Sequence, residues 1–453
     1  MTVTRVSVAS GEAARNLLHD QKFVSSWLAL HGKCPHATAY QAPSYAVTWY
    51  EAYREQWQPV IALSRDVSGD LNGLWLLAHS AATNSLTHVG AHQAEYAVWL
   101  ALPGSDAAFL SAAWTELKQH LTFASLRFKY LPAMALADTL QGVLADLSSG
   151  VVVRKLSRPL LKIDAEDIKA SAAKKSNKSR FNRLKKLGKL EFRRIAEAAE
   201  LERVFDDLIL YYDFRHAAIN HAAPFLEDRH KRKFHTELWA AGAGAAYVTA
   251  TFLDDHPIAG FWGTETGSAV HLCMLMYSPF LAEHSPGKLH VMQLSEHMLS
   301  EGKEVLDLTP GGDAWKERFA NAHDDVAEVI VYNSKRAHLQ AGAQDYVMRL
   351  AKRGAAQMNL SSEEARTKLA LVQRTTPAAL ARKVRDWTGI AREFRVYRID
   401  RSRAQSFQAD ARVQRNSLSD LLCFQPAESW QSRDDFLSAA LTRLEQGESA
   451  YTI

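Results

Sequence analysis

Cysteine is scarce in this chain of 453 residues: Cys34, Cys273 and Cys423 are its three cysteines, and they lie far apart. None belongs to a Cys-x-x-Cys pair, which argues against a disulfide framework and a structural zinc site and favours a reducing compartment. The sequence also lacks a run of about 18 apolar residues and an apolar signal segment near its start. We therefore expect a cytoplasmic protein without a membrane span.

The composition is that of a folded protein rather than a disordered one. Apolar residues make up 47% of the chain, and the net charge is only +4. A chain of this length favours two or three domains. The charge is unevenly spread, because residues 174–189 contain eight lysines and arginines and no acidic residue.

Hydrophobic patterning predicts mixed α and β structure over the first 160 residues. Further on, a basic helix over 174–187 is followed by a strand, two helices and a β-meander of three strands. The meander comprises 247–253, 258–264 and 269–276, separated by polar turns. A helix over 287–301 and strands at 305–308 and 328–332 complete this part.

The last quarter contains separate helix signals. Ser361-x-x-Glu364 is a capping box, and Thr376-Pro377 predicts a helix that ends at Gly389. A strand is expected over 394–399. Ser432 is expected to cap a helix that ends at Gly447, followed by a strand from Tyr451.

Three stretches together resemble a known family of enzymes. They are the basic stretch 175–188, the segments Tyr277–Phe280 and Ser285–Leu289, and the run from Asp307 through Pro310-Gly311-Gly312 to Phe319. Their order is similar to that in the GNAT-type acetyltransferases of the CelD/BcsL group, which are associated with cellulose and exopolysaccharide synthesis and related to the Fem aminoacyltransferases. Residues 44–53 and 89–96 resemble the first half of the same proteins.

The resemblance implies an α/β (α+β) fold with tandem GNAT-like lobes, built on mixed, largely antiparallel sheets flanked by helices. We expect a degenerate first lobe over 1–160 and an acyltransferase lobe over 161–335. A helical extension over 336–392 and a small α/β tail over 393–453, in which a partial third lobe is one interpretation, would follow.

The segment from Ser285 to Leu289 is the predicted site for the donor, acetyl-CoA or another acyl-CoA. Pro286 fits the first helical position, the first-turn amides and the helix dipole favour an anion, and Lys288 adds a positive charge. Gly287 would let a ligand approach the backbone. The loop has one glycine where GNAT phosphate loops usually have two small residues, and an ordinary helix start is the alternative interpretation.

The predicted catalytic residues lie on the meander and the glycine-rich loop. Asp307 or Asp313 could accept a proton from the acceptor, and Lys316 could stabilise the oxyanion. Glu265 and His271 could relay a proton. A solvated loop and ordinary packing are the alternatives for these positions.

The predicted substrate-binding residues include two cations of the basic stretch, Lys175 and Arg180, together with Tyr277 and Trp315. The basic stretch could bind coenzyme phosphates, a nucleotide-sugar or a nucleic acid backbone. A solvated helix face is the alternative, and the thin aromatic content makes nucleic acid the weaker candidate.

Other familiar motifs are absent or in the wrong context. His216, His221, His230 and His235 have no spacing that places two of them as metal ligands on one helix face, so no metal is expected. Gly242-Ala243-Gly244 follows a helix and precedes a strand, the reverse of a Rossmann loop. The sequence contains neither a Walker loop nor a nucleophile elbow.

These observations favour transfer of an acyl group from acyl-CoA to an amine or hydroxyl of a small molecule or saccharide, and the resemblance implies that the acyl group is acetyl. Two alternatives remain: a Fem-like transferase that uses aminoacyl-tRNA, and a non-catalytic scaffold in a polysaccharide-synthesis assembly.

Overall fold

A computed structural model describes residues 5–242, 245–343, 414–426 and 432–452. The chain forms two compact units, one of residues 1–209 and 225–340 and the other of residues 210–224 and 341–453. The expected capping box at Ser361, the helix from Thr376 and the strand over 394–399 lie outside the described residues. Within the described ranges no helix is both long and apolar enough to cross a bilayer.

The elements follow one another in a repeating order. The first half contains β1 (Val6–Ser10), α1 (Gly11–His19), α2 (Gln21–Lys33), α3 (Pro43–Ala52), β2 (Gln58–Arg65), β3 (Leu71–Ser80), β4 (Ser85–His88), β5 (Leu100–Ala101), α4 (Asp106–His120), β6 (Ser125–Leu131), α5 (Met134–Leu144) and β7 (Gly150–Lys162). The second half contains α6 (Ala165–Ala173), α7 (Lys175–Leu187), β8 (Leu190–Arg194), α8 (Ala198–Asn220), α9 (Pro224–Glu227), α10 (Lys231–Ala240), β9 (Tyr247–Leu253), β10 (His256–Thr266), β11 (Ala269–Tyr277), α11 (Pro286–Ser300), β12 (Val305–Asp307), α12 (Ala314–Glu317) and β13 (Ala322–Tyr332).

The predicted meander is confirmed, and its turns show why it forms. Strands β9 and β10 are joined by Asp254-Asp255, where Asp254 has a φ of 54°. Strands β10 and β11 are joined by Gly267-Ser268, where Gly267 has a φ of 58°. Aspartate and glycine tolerate this left-handed conformation, which two-residue hairpin turns require. Short polar turns therefore fix the register of the three strands.

Strands β1 to β13 form one continuous sheet instead of one sheet for each half. The path is β1-β2-β3-β4-β6-β13-β7-β12-β11-β10-β9-β8, and β5 pairs with β3. From either end the path runs through antiparallel neighbours into a parallel pair, β4 with β6 and β11 with β12. The last strand of each half pairs with a strand of the other half. Strand β7 of the first half pairs with β12 of the second, and β13 of the second half pairs with β6 of the first. The repeated order is that of two tandem lobes with exchanged final strands.

The exchanged strands are the elements that the sequence patterns missed. Strand β7 was not expected, and β13 begins at Ala322 rather than at Glu328. Both carry charged residues such as Arg158 and Asp324 among their apolar ones, so neither presents a clean alternation. The two strands pair antiparallel along their length, from Ala322 opposite Leu160 to Tyr332 opposite Gly150. The lobe boundaries expected near residues 160 and 335 stay predictions.

Helix α11 packs on one face of the second half of the sheet. Its buried Val291, Leu294 and Met298 contact Val270 of β11 and Leu306 of β12. Full burial of such side chains stabilises a fold by about 1.5–3 kcal/mol each. This packing fixes α11 relative to the two parallel strands.

In the second compact unit the predicted C-terminal helix is confirmed. This unit contains β14 (Gln414–Arg415), α13 (Leu418–Leu422), α14 (Arg433–Glu445) and β15 (Tyr451–Thr452). Ser432 caps α14 by accepting a hydrogen bond from the amide of Asp435. Leu437, Leu441 and Leu444 are buried at helical spacing.

Candidate active site

The strands β11 and β12 diverge and leave a fork in the sheet. They pair in parallel only from Ala269 to His271, opposite Val305 to Asp307. Strand β11 then continues to Tyr277, while the chain after β12 turns away at Thr309, which has a φ of 61°. Within the described sheet the β12-facing edge of β11 is therefore without a strand partner beyond His271. Such an edge offers free backbone amides and carbonyls to a ligand.

A buried carboxylate lies at the base of this fork. Asp307 is 1% exposed and is directly opposite His271 in the strand register. Its Oδ2 is 3.0 Å from Nδ1 of His271 and 2.7 Å from the hydroxyl of Tyr96, which donates to it. Nη1 of Arg158 donates to the same oxygen over 3.3 Å, and the amide of Thr309 donates to Oδ1 over 2.8 Å.

These contacts keep Asp307 ionised. Burial raises the pKa of Asp307, but the hydrogen bonds from His271 and Tyr96 and the charge of Arg158 outweigh this effect, so the pKa lies below its usual value. Burial also raises the pKa of Tyr96 well above its usual range, so its hydroxyl keeps the proton that it donates.

An ionised Asp307 fixes the orientation and the tautomer of the histidine beside it. Because the carboxylate accepts, Nδ1 of His271 carries the proton of this hydrogen bond, and in the corresponding neutral tautomer the lone pair lies on Nε2. Nε2 is buried and has no hydrogen-bond partner in the described part of the chain. A histidine oriented by a carboxylate, with its second nitrogen free, is the arrangement of a general base.

The first turn of α11 lies near the end of β11. Pro286 occupies the first helical position, and the amide of Leu289 bonds to the carbonyl of Ser285. The amides of Gly287 and Lys288 therefore have no partner within the helix, and the side chain of Ser285 does not cap them. A Cβ at Gly287 would come within 2.7 Å of the ring of Tyr277. The glycine thus makes room for Tyr277, and the free amides are what an anion could bind.

Positive charge surrounds these amides. Partial burial and repulsion from Arg180, Lys174 and Arg318 lower the pKa of Lys288. Nε of Arg180 is buried and has no partner in the described ranges. These four cations form no ion pair with the described acidic residues. The α11 end of the fork therefore favours an anionic group such as a phosphate.

The glycine-rich loop after β12 is held together by Lys316. Its ammonium lies 3.2 Å from the carbonyl of Thr309, 3.4 Å from that of Pro310 and 3.1 Å from a carboxylate oxygen of Asp313. Lys316 is 7% exposed, and half of the Asp313 side chain is exposed. Trp315 is half-buried against the core beneath α11. Lys316 and Asp313 thus engage each other and this loop.

Glu265 lies apart from the histidine. Strand alternation places its neighbour Thr264 opposite His271 and Glu265 opposite Val270, so the two side chains point to opposite faces. Glu265 bonds to Arg194 over 2.6 Å and to Lys303 over 2.7 Å. Burial raises the pKa of Glu265, but these two cations lower it overall.

Lys175 is exposed on α7, on the side opposite the buried Asn177 and Leu184. Arg180 and Tyr277, in contrast, both lie at the first turn of α11. Tyr96 and Arg158 complete the Asp307 cluster from the first half of the chain, and neither was predicted from the sequence. Tyr96 closes the stretch 89–96, which was noticed for its resemblance alone. Arg158 lies in the unexpected strand β7 and has no motif around it.

Comparison with known proteins agrees with this geometry. The family description "Acetyltransferase (GNAT) domain" matches residues 171–317, which span α7, the meander, α11, β12 and α12. The chain contains a GNAT-type acetyltransferase domain. No curated protein matches its sequence.

Among solved structures, FemX is similar at 11% identity, covering 70% of this chain and 98% of FemX with a TM-score of 0.50. A tandem GNAT protein from the clavulanic acid biosynthesis pathway is similar at 12% identity, covering 73% of this chain and 99% of that protein with a TM-score of 0.44. The FemX likeness concerns the fold. The predicted mixed α/β fold with tandem GNAT-like lobes is confirmed, whereas none of these matches names the CelD/BcsL group.

Proposed function

We propose that this protein transfers an acyl group, acetyl in the simplest case, from acyl-CoA to an amine or hydroxyl acceptor. The observation that carries the proposal is the pair of His271 and Asp307 at the base of the β11–β12 fork. The GNAT-type domain supports acyl transfer as the reaction class. The nature of the donor is supported by the free amides of Gly287 and Lys288 and by the cations around them.

In the proposed reaction the acceptor nitrogen or oxygen attacks the thioester carbonyl. The acceptor gives its proton to Nε2 of His271 while Asp307 stabilises the resulting imidazolium. The new bond between the acyl carbon and the acceptor forms, the carbon–sulfur bond breaks, and the thiolate takes a proton from the imidazolium or from water. Amides on the free edge of β11 are suited to bind the carbonyl oxygen as it becomes negative.

Other residues have supporting roles in this proposal. Ser285 and Leu289 shape the first turn of α11, and Arg180 and Lys288 bind donor phosphate. Lys316, Asp313 and Trp315 form the loop that borders the fork. The assignment to the CelD/BcsL group, a saccharide acceptor and a place in polysaccharide synthesis belong to the same proposal, supported by the motif resemblance.

The donor is tested by thermal shift with acetyl-CoA. A ligand that binds only the folded protein raises its melting temperature by mass action. We expect a shift with acetyl-CoA that is reduced in Lys288→Glu and unchanged in Lys22→Glu, an exposed lysine on α2. No shift with acetyl-CoA, together with a shift from charged tRNA, would favour the aminoacyl-tRNA alternative. No shift with either would favour the scaffold.

The catalytic pair is tested by acetylation of amine and sugar acceptors, followed by mass spectrometry and by release of the free thiol. We expect His271→Gln to lower kcat by about 10²–10⁴-fold, the usual contribution of a general base. His88→Gln is the matched control, because His88 is a buried histidine on β4 that bonds to a backbone carbonyl. Equal activity of His271→Gln and the wild type would remove His271 from the mechanism.

A further inference from the structure

Helix α7 carries a row of cations on its solvent side. We call Lys175, Lys178, Arg183 and Lys186 the outer stripe; all four are exposed. At 100° per residue they lie on the side opposite Asn177 and Leu184, which are buried. With Ser179 and Asn182 between them, they line an open depression of about 300 Å³.

The outer stripe is not neutralised by the protein. None of its four residues takes part in an ion pair within the described ranges, although two lysines that flank α7 do, since Lys169 pairs with Glu166 and Lys189 with Glu191. The stripe spans twelve residues, and the eleven steps between its ends make about 16 Å of helix. Like charges three or four positions apart destabilise a helix. An anionic partner would relieve this repulsion.

The stripe lies close to the proposed donor site but points away from it. On its inner side α7 packs through Leu184 against Leu289 and Met292 of α11. The stripe is therefore about one helix diameter, 10–12 Å, from the first turn of α11. A phosphate bound at Lys288 is contacted from the inner side, where Arg180 lies, so the stripe has to meet a different anionic group.

We propose that the outer stripe docks an acidic carrier protein that delivers the acyl group on a phosphopantetheine arm. This inference rests on the proposed acyl-transfer function. The phosphate of the arm would bind at the amides of Gly287 and Lys288, and an acidic helix of the carrier would lie along the stripe. Such an arm has one phosphate, whereas coenzyme A has a diphosphate. The smaller anion suits the segment Ser285–Leu289, which has a single glycine.

The chemistry of the stripe favours an acidic protein over other polyanions. Among the six residues that line the depression there is no aromatic ring on which a nucleic acid base could stack, and no apolar side chain that could insert into a bilayer. Leu187, which is 54% exposed, lies between Arg183 and Arg180 around the helix. An apolar contact at the edge of a charged stripe suits a protein interface.

The test is direct binding of a fluorescently labelled, acetyl-loaded acyl carrier protein to the full chain, measured by anisotropy at low and high salt. We expect binding that weakens with salt and that falls at least about tenfold in Lys178→Glu/Lys186→Glu. Lys22→Glu/Lys33→Glu is the matched control, because it reverses two exposed charges of α2 and should bind as the wild type does. Urea unfolding of each variant checks that the fold is retained.

Acetyl-CoA is measured in parallel by thermal shift. We expect the stripe variant to respond to acetyl-CoA as the wild type does. Absence of carrier binding, or an equal loss of the acetyl-CoA shift in the stripe variant, overturns the carrier inference. So does tighter binding of phosphatidylglycerol vesicles or duplex RNA through the same two lysines. Carrier binding without any acetyl-CoA shift would support the carrier inference and reject acyl-CoA as the donor.

Discussion

Replacing Asp307 by asparagine tests whether the buried cluster stabilises the fold as its geometry implies. The substitution keeps the shape of the side chain but removes its charge. Asp307 accepts hydrogen bonds from Tyr96, His271, Arg158 and the amide of Thr309. An asparagine has one acceptor oxygen, and its amide group would face donors that also need acceptors.

The structure allows the cost to be estimated. Removing one partner of a buried ion pair typically costs about 3–5 kcal/mol. Arg158 keeps a second partner, because its Nε bonds to Asp324 over 2.6 Å. We therefore expect the lower end of the range, about 3 kcal/mol of unfolding free energy. Asp324 is the matched control, since it pairs with the same arginine but its side chain is 44% exposed. Asp324→Asn should cost no more than about 1 kcal/mol.

Urea unfolding at neutral and acidic pH measures both variants. The folded-state pKa of Asp307 is lowered, so its carboxylate stabilises the fold above the unfolded pKa of about 3.9. That contribution is lost as the pH falls through the lower folded-state value, and the gap between wild type and Asp307→Asn should narrow there. Equal costs for the two variants at neutral pH would refute the idea that burial makes Asp307 the stronger partner of Arg158.

Three further predictions concern Gly287 and two buried histidines. Gly287→Ala should lower the free energy of unfolding by about 1–3 kcal/mol, because the new Cβ would meet the ring of Tyr277. In a Tyr277→Ala background this loss should largely vanish. Urea unfolding of the double-mutant cycle measures both values, and an undiminished loss in the Tyr277→Ala background would contradict the prediction. His235→Phe should change stability by less than about 1 kcal/mol, because both ring nitrogens of the buried His235 are without partners in the described ranges. His290→Phe should lower the free energy of unfolding by about 1–3 kcal/mol, because His290 forms hydrogen bonds with two threonine hydroxyls. Equal losses for the two histidine variants in the same unfolding assay would show that these bonds are not stabilising.

The local elements of the second half could be predicted because each has a local cause. The hairpins are set by Asp254-Asp255 and Gly267-Ser268, and α11 begins at Pro286. In contrast, the exchange of β7 and β13 depends on pairing between residues more than 150 positions apart, such as Val153 with Val329. No pattern within either strand encodes its partner. The sequence therefore predicted two lobes but not the single sheet that joins them.

The candidate site shows the same division. His271 and Asp307 were each noted from their place on a strand, but their pairing follows from the register of two parallel strands separated by α11. Glu265 is one position from the residue that faces His271, and strand alternation alone puts it on the other face. Lys316 was considered as the residue that stabilises the oxyanion, yet its loop folds back so that its ammonium contacts the carbonyls of Thr309 and Pro310.

The exchange of strands also decides which residues can form a site. The GNAT-type match ends at residue 317, before β13, and begins after β7. Yet β7 pairs with β12 on one side and with β13 on the other, and it places Arg158 beside Asp307. Tyr96, also from the first half, donates to the same carboxylate. The charge state of Asp307, and through it the free nitrogen of His271, therefore depends on both halves of the chain, so the first lobe is part of the proposed active site even though no donor-binding motif was found in it.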